Sequence, residues 1–173
     1  MSARQSAIIV PVPAAEPVVA RWRELFDPSA ARGMPAHITV LYPFLAEPRL
    51  TDDVLAPLEA LCGAVAPFDV TFTRTGRFPN ALYLEPDPSE PIRQLTLAIA
   101  GRWPEAQPYG GAFDDVIPHL TVAREVGEKV FAEADAEVSP ALPIGAALSE
   151  AWLYVSRTDD GRWRPHTRLR FSG

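Results

Sequence analysis

The chain has 173 residues, 47% hydrophobic and 22% charged, which is enough to bury one core or two small fused halves and no more. Its net charge of -6 excludes a protein that coats long nucleic acid, a mode that needs a basic surface to displace counterions. No apolar run approaches the roughly 20 residues of a membrane span, and a single cysteine, Cys62, excludes a disulfide framework or a cysteine-based zinc site within one chain.

Taken in chain order, residues 6–13 (SAIIVPVP) read as a strand, because the apolar run is cut by prolines too early for a signal segment; a cytoplasmic protein is expected. Residues 16–27 place Val18, Val19, Trp22, Leu25 and Phe26 at helical spacing. A loop with Gly33 and Pro35 leads to a strand over AHITVLYPF (36–44), closed by Pro43. Thr51 caps a second helix with an acidic first turn, along which Val54, Leu55, Leu58, Leu61 and Cys62 recur, and Cys62 reads as an apolar filler. The stretch 68–78 alternates as a strand, with Phe68, Val70 and Phe72 on one side.

The plan then repeats. Residues 81–88 form a strand that ends in prolines, 89–103 a helix with Ser89 as cap, and a glycine-rich loop leads to PHLTVAREV (118–126). From Val10 to His37 and from Leu84 to His119 the units differ by a loop-sized insertion, as an internal duplication would leave them. A helix follows near 128–138, then two strands, 145–157 and 161–171, about the turn TDDG. The fold class is α+β: two pseudo-symmetric lobes of antiparallel sheet, helices outside, about a central cleft, in one domain spanning 1–173.

His37-Ile38-Thr39-Val40 is echoed by His119-Leu120-Thr121-Val122. In a strand, residues two apart share a face, so each phrase buries its apolar pair and presents a histidine with a threonine. If the lobes face one another, two imidazoles and two hydroxyls surround one space. With an unperturbed pKa near 6.5, one imidazole can accept a proton while its protonated partner donates one, and threonine hydroxyls can hold phosphate oxygens. Such a pair suits phosphodiester chemistry at a ribose without a metal.

The segments PAHITVLYPF, GRFPNALYLEPDP, PHLTVAR and WLYVSRTDDGRW, in that order, resemble the two-histidine phosphoesterase superfamily with its paired HxTx motifs, in the branch of 2′-5′ RNA ligase-like proteins and cyclic nucleotide phosphodiesterases. The resemblance implies a bilobal fold of two antiparallel sheets and action on 2′,3′-cyclic phosphates or 2′-5′ linkages of nucleotides or RNA ends. It implies His37 and His119 as the catalytic pair, Thr39 and Thr121 as phosphate holders, Arg124 as a further phosphate ligand, and no cofactor. The expected partner is a small nucleotide or an RNA end, and the expected state a monomer.

Five residues past its histidine, Arg124 falls on the wrong face of a regular strand and reaches the cleft only if the strand ends or bulges. Tyr42 has the same offset from His37, and Phe44 lies two residues further on; each can stack on a base or pack in the core. Phe78 and Tyr83 border the same region, with Tyr83 assigned to the core. In the last strand, Trp163, Pro165, Thr167, Leu169 and Phe171 alternate with Arg162, Arg164, His166, Arg168 and Arg170, so the second set is either an anion-binding stripe or a solvated face. Two other functions keep to the same residues: a catalytically silent nucleotide- or RNA-end-binding protein, and a metal-binding protein using the histidines with Asp114 or Asp115.

Overall fold

The computed structural model describes residues 4–112, 115–157 and 159–173. Eight strands form two four-stranded antiparallel sheets. The first sheet is ordered β2-β1-β7-β8, from β1 (Ser6–Pro11), β2 (His37–Leu41), β7 (Glu150–Ser156) and β8 (Trp163–Arg170). The second is ordered β5-β4-β3-β6, from β3 (Phe68–Phe78), β4 (Ala81–Asp87), β5 (Leu120–Arg124) and β6 (Ile144–Leu148). Each histidine-threonine phrase therefore lies on an edge strand, and the edges β2 and β5 come together where the sheets meet.

Five helices flank the sheets: α1 (Glu16–Phe26), the single-turn α2 (Pro28–Ala31), α3 (Asp52–Gly63), α4 (Glu90–Arg102) and α5 (Glu128–Val138). The long helices do not all cover their own lobe. After leaving β1, α1 packs on β5 of the opposite sheet, and α4, after leaving β4, packs on β2. By contrast, α3 packs on β8 and α5 on β4 and β5. One continuous core results, joining Ile8, Ile38 and Leu153 of the first sheet to Phe72, Leu84 and Leu120 of the second.

Several elements differ from the sequence reading. The expected strand 145–157 is two strands, because the chain passes from the second sheet to the first at Ser149, whose carbonyl accepts the Phe171 amide. Thr51 and Ser89 stand at the starts of α3 and α4, but neither side chain caps a backbone amide. On α1, Leu25 is 62% exposed whereas Arg23 is 2% exposed. The polar residue is inside because its guanidinium donates to the Met34 carbonyl and pairs with buried Asp27, which meets the need of a buried charge for partners. Cys62 is fully buried, and burial pushes its thiol up to about 12, as an apolar filler requires. Thr158 of the expected turn lies outside the described residues.

Candidate active site

A cavity of about 450 Å³ opens between the sheets, with His37 and Thr39 on one side and His119 and Thr121 on the other. Register explains why these four face it. In β2, His37 and Thr39 pair with Pro11 and Ile9, on the face opposite the buried Ile38 and Val10. In β5, Thr121 pairs with Tyr83 while Leu120 pairs with buried Leu84. Neither threonine hydroxyl has a protein partner among the described residues.

Both phrases carry a β-bulge at the same offset. In β2 the pairing runs Ile9 with Thr39 and then Ile8 with Leu41, so Val40 is the extra residue. In β5 it runs Tyr83 with Thr121 and then Leu82 with Ala123, so Val122 is the extra residue. A bulge reverses strand parity beyond it. The residues five past each histidine, Tyr42 and Arg124, are thereby turned into the cavity, which both of them line. Phe44, two residues beyond Tyr42, is 7% exposed and packs edge-on against Trp103, so it belongs to the core.

The two imidazoles are held alike through Nδ1. That atom of His37 donates to the Pro35 carbonyl at 2.7 Å, and that of His119 to the Ile117 carbonyl at 2.7 Å. A carbonyl only accepts, so the proton sits on Nδ1 and Nε2 is left for a ligand. The backbone leading to His37 is fixed as well, since the Ala36 amide donates to Glu16 Oε1 at 2.6 Å and the Ala36 carbonyl accepts from Val12.

Their surroundings differ. Desolvation first, and then the Arg23 guanidinium, lower the pKa of His37 to about 4, against the opposing pull of the Pro35 carbonyl and Asp27. His119 is also lowered, chiefly by desolvation, but its neighbours are aromatic. Phe78 lies edge-on at 5.0 Å, Tyr83 at 5.3 Å and Tyr109 at 6.5 Å between ring centroids. Phe78 thus stands against the imidazole, and Tyr83 is 7% exposed. The Tyr83 ring in turn lies over Gly76, where an added Cβ would come within 2.5 Å of it. The expectation of ordinary imidazoles near 6.5 is corrected: in the free protein both favour the neutral form.

The sequence reading missed the buried carboxylate beside the site. Asp27 Oδ1 accepts from the Ser29 amide and hydroxyl and lies 3.6 Å from Arg124 Nε, while Oδ2 accepts from Arg23. Asp27, Ser29 and Arg32 all line the cavity. An apolar stripe cannot flag them, because they follow the last turn of α1; an aspartate just ahead of Pro28-Ser29 was the available signal, as an N-cap.

The arginine stripe is divided. A bulge at His166, where Leu153 pairs with Thr167 and Tyr154 with Pro165, separates Trp163 from Leu169. Leu169 joins the main core, while Trp163 packs with Ala7, Ile9 and Met34 and lines the cavity. None of Arg162, Arg164, His166, Arg168 and Arg170 lines it; Arg164 pairs with Asp160 and Arg168 with Glu150. His166 bonds Thr167 Oγ1 away from the other histidines. Among the described residues no three His, Cys, Asp or Glu side chains gather as a metal site, and Asp114 lies outside those residues.

Comparison with known proteins agrees with this architecture. A family profile described as the 2′-5′ RNA ligase superfamily matches residues 10–160. The fold is similar to that of E. coli LigT in its apo form, at 21% identity, TM-score 0.61 and full coverage of both chains. It is similar to the same protein complexed with 3′-AMP, at 22% identity and TM-score 0.59, over 99% of this chain and 100% of that one. TT0787 of Thermus thermophilus superposes with TM-score 0.63 at 20% identity over 98% of each chain. No curated protein sequence matches.

Proposed function

Since the chain belongs to the 2′-5′ RNA ligase superfamily, we propose that it is a metal-independent phosphoesterase that acts on 2′,3′-cyclic phosphates or 2′-5′ linkages of nucleotides or RNA ends. The observation that carries this reading is the placement of two histidine-threonine pairs, one from each sheet, on a single cavity. E. coli LigT has been crystallised with 3′-AMP, ATP and NADP+, ligands of the size and chemistry that the proposal requires here.

In hydrolysis of a cyclic phosphate, Nε2 of one imidazole takes a proton from water as the water oxygen attacks phosphorus. The bond from phosphorus to one ribose oxygen breaks, and that oxygen takes a proton from Nε2 of the other, protonated imidazole. Hydroxyls of Thr39 and Thr121, with the Arg124 guanidinium, hold the non-bridging oxygens as charge builds on them. Because the pKa of both rings is lowered in the free protein, the acid takes up its proton from solvent as the substrate binds, since the anionic phosphate favours the imidazolium. Tyr42 stands on the opposite wall from Arg124 as a stacking surface for the base.

Incubation with 2′,3′-cyclic nucleotides, with and without a chelator, tests the proposal. Turnover is expected to survive chelation and to fall at least about 10²-fold in His37→Ala and in His119→Ala. Unchanged turnover in both variants would refute the paired-histidine reading, and ligand binding without turnover would mark a catalytically silent binder.

A further inference from the structure

Building on the phosphoesterase reading, we propose that Arg32 and Arg162 form a second anion subsite at the mouth of the cleft. It takes the phosphate on the 5′ side of the nucleoside whose 2′,3′ end reaches the histidines, so the substrate class is an RNA end and not a free mononucleoside phosphate.

Charge pairing and position together select these two residues: Arg32, Arg102, Arg162 and Arg170 are the arginines without an ion pair among the described residues, and of them Arg32 lines the cavity while Arg162 lies over the adjoining turn. Most arginines of this acidic chain have a carboxylate within ion-pair distance, among them Arg23 and Arg124, which share Asp27, Arg164 with Asp160 and Arg168 with Glu150. Neither Arg32 nor Arg162 forms an ion pair among the described residues, and both are exposed. The carboxylate nearest in sequence to Arg162, Asp160, is already engaged by the Arg162 amide through Oδ1 and by Arg164 through Oδ2. Keeping two cations unpaired beside a cavity, in a chain of net charge -6, leaves a local positive field that an anion can occupy.

Backbone contacts bring them to one spot. The Trp163 amide donates to the Arg32 carbonyl at 2.8 Å, laying the turn after α2 against the start of β8. Between them Gly33 adopts φ +97, a conformation that favours glycine. A Cβ there would stand 3.3 Å from the Trp163 carbonyl and 3.7 Å from Arg162 Nη2. The Arg162 guanidinium thus lies over the turn that carries Arg32. Trp163 lines the cavity together with Arg32, and its ring meets Tyr42 edge-on at 5.9 Å.

Ribose geometry sets the assignment. The 2′ and 3′ oxygens occupy one edge of the sugar and the 5′ carbon another, so a nucleoside whose cyclic phosphate lies between His37 and His119 directs its 5′ oxygen away from the floor. With the base against Tyr42 or Trp163, the 5′ phosphate arrives at the exposed guanidinium pair, which suits forked contacts to phosphate oxygens.

Calorimetric titration of the full chain with adenosine 3′-monophosphate and with adenosine 3′,5′-bisphosphate tests this without relying on turnover. We expect the 5′ phosphate to tighten binding about tenfold at low salt, with the gain shrinking as salt rises. In Arg32→Gln/Arg162→Gln the gain should vanish, while affinity for the 3′-monophosphate stays within about twofold. Equal affinity of the two ligands for the wild type, no measurable binding of either, or a gain that survives the double substitution would each overturn the subsite. Hydrolysis of 2′,3′-cyclic AMP with no gain from a 5′ phosphate would leave the phosphoesterase standing and remove this proposal. A gain lost in the double variant, with no hydrolysis of any cyclic phosphate, would do the reverse.

Discussion

His37 and His119 use the same Nδ1 bond to the carbonyl two residues upstream, yet one is set beside a buried guanidinium and the other among aromatic rings. Both surroundings disfavour the charged form, and this has a definite pH signature. In the free protein His37 titrates near 4 and His119 below 6.5, so the state with one neutral and one protonated imidazole is most abundant on the acid side of 6.5. Profiles of kcat/KM, which report the free enzyme, should therefore peak below pH 6.5 and fall as pH rises. Those of kcat should lie at higher pH, because bound phosphate favours the imidazolium. Measured hydrolysis of a 2′,3′-cyclic nucleotide from pH 4 to 9 checks this, and a kcat/KM optimum near pH 8 would contradict it. Stability follows the same lowered values: between about pH 6.5 and 4 the unfolded chain binds protons that the folded chain refuses, so stability falls as pH drops through that window.

At the scale of the element, the matched bulges in β2 and β5 turn Tyr42 and Arg124 inward. A bulge frees backbone groups from the ladder, and in β2 one of them is taken up from the other half of the chain. The hydroxyl of Thr96 on α4, 1% exposed, donates to the Val40 carbonyl at 2.6 Å and shares its proton with Ile92 at 3.0 Å. Thr96→Val keeps the shape but leaves that carbonyl bare, at a cost of about 1–3 kcal/mol. Denaturant unfolding should show this loss, and Thr96→Ser should recover most of it. The apolar alternation of each phrase makes the inward histidine and threonine legible in the sequence, because period-2 reading holds up to the bulge. It fails beyond it: parity gives Tyr42 and Arg124 the wrong face and both line the cleft, and it puts Trp163 and Leu169 on one face when they are on two. An inserted residue carries no compositional mark here, since Val40 and Val122 look like any other strand valine. Arg23 and Asp27 escape for a different reason, as a buried ion pair breaks the apolar pattern by which buried positions are read.

For the whole molecule, the crossed helices decide how the lobes behave. With α1 on β5 and α4 on β2, each lobe completes its core with a helix from the other, and Ile38 and Leu120 belong to one apolar cluster. The protein is expected to unfold in a single transition. Tryptophan fluorescence, which reads Trp22 on α1, Trp152 and Trp163 in the first sheet and Trp103 beyond α4, should coincide with far-UV circular dichroism across a urea titration. Separated curves would show that the lobes unfold independently. The repeated order of strand, helix and phrase is readable in the sequence, whereas the crossing is not, because nothing along a strand records which helix will cover it.

That exchange of helices bears on how such a chain could arise. A lone ancestral half, one strand-helix-strand unit carrying a single histidine and threonine, would have projected its helix away from its own motif strand. It could have covered that strand only by meeting a second copy and trading helices with it. The same encounter would have supplied the second proton carrier. Folding and chemical competence would then have had one common requirement, a twin, and joining the two genes would have made that meeting permanent.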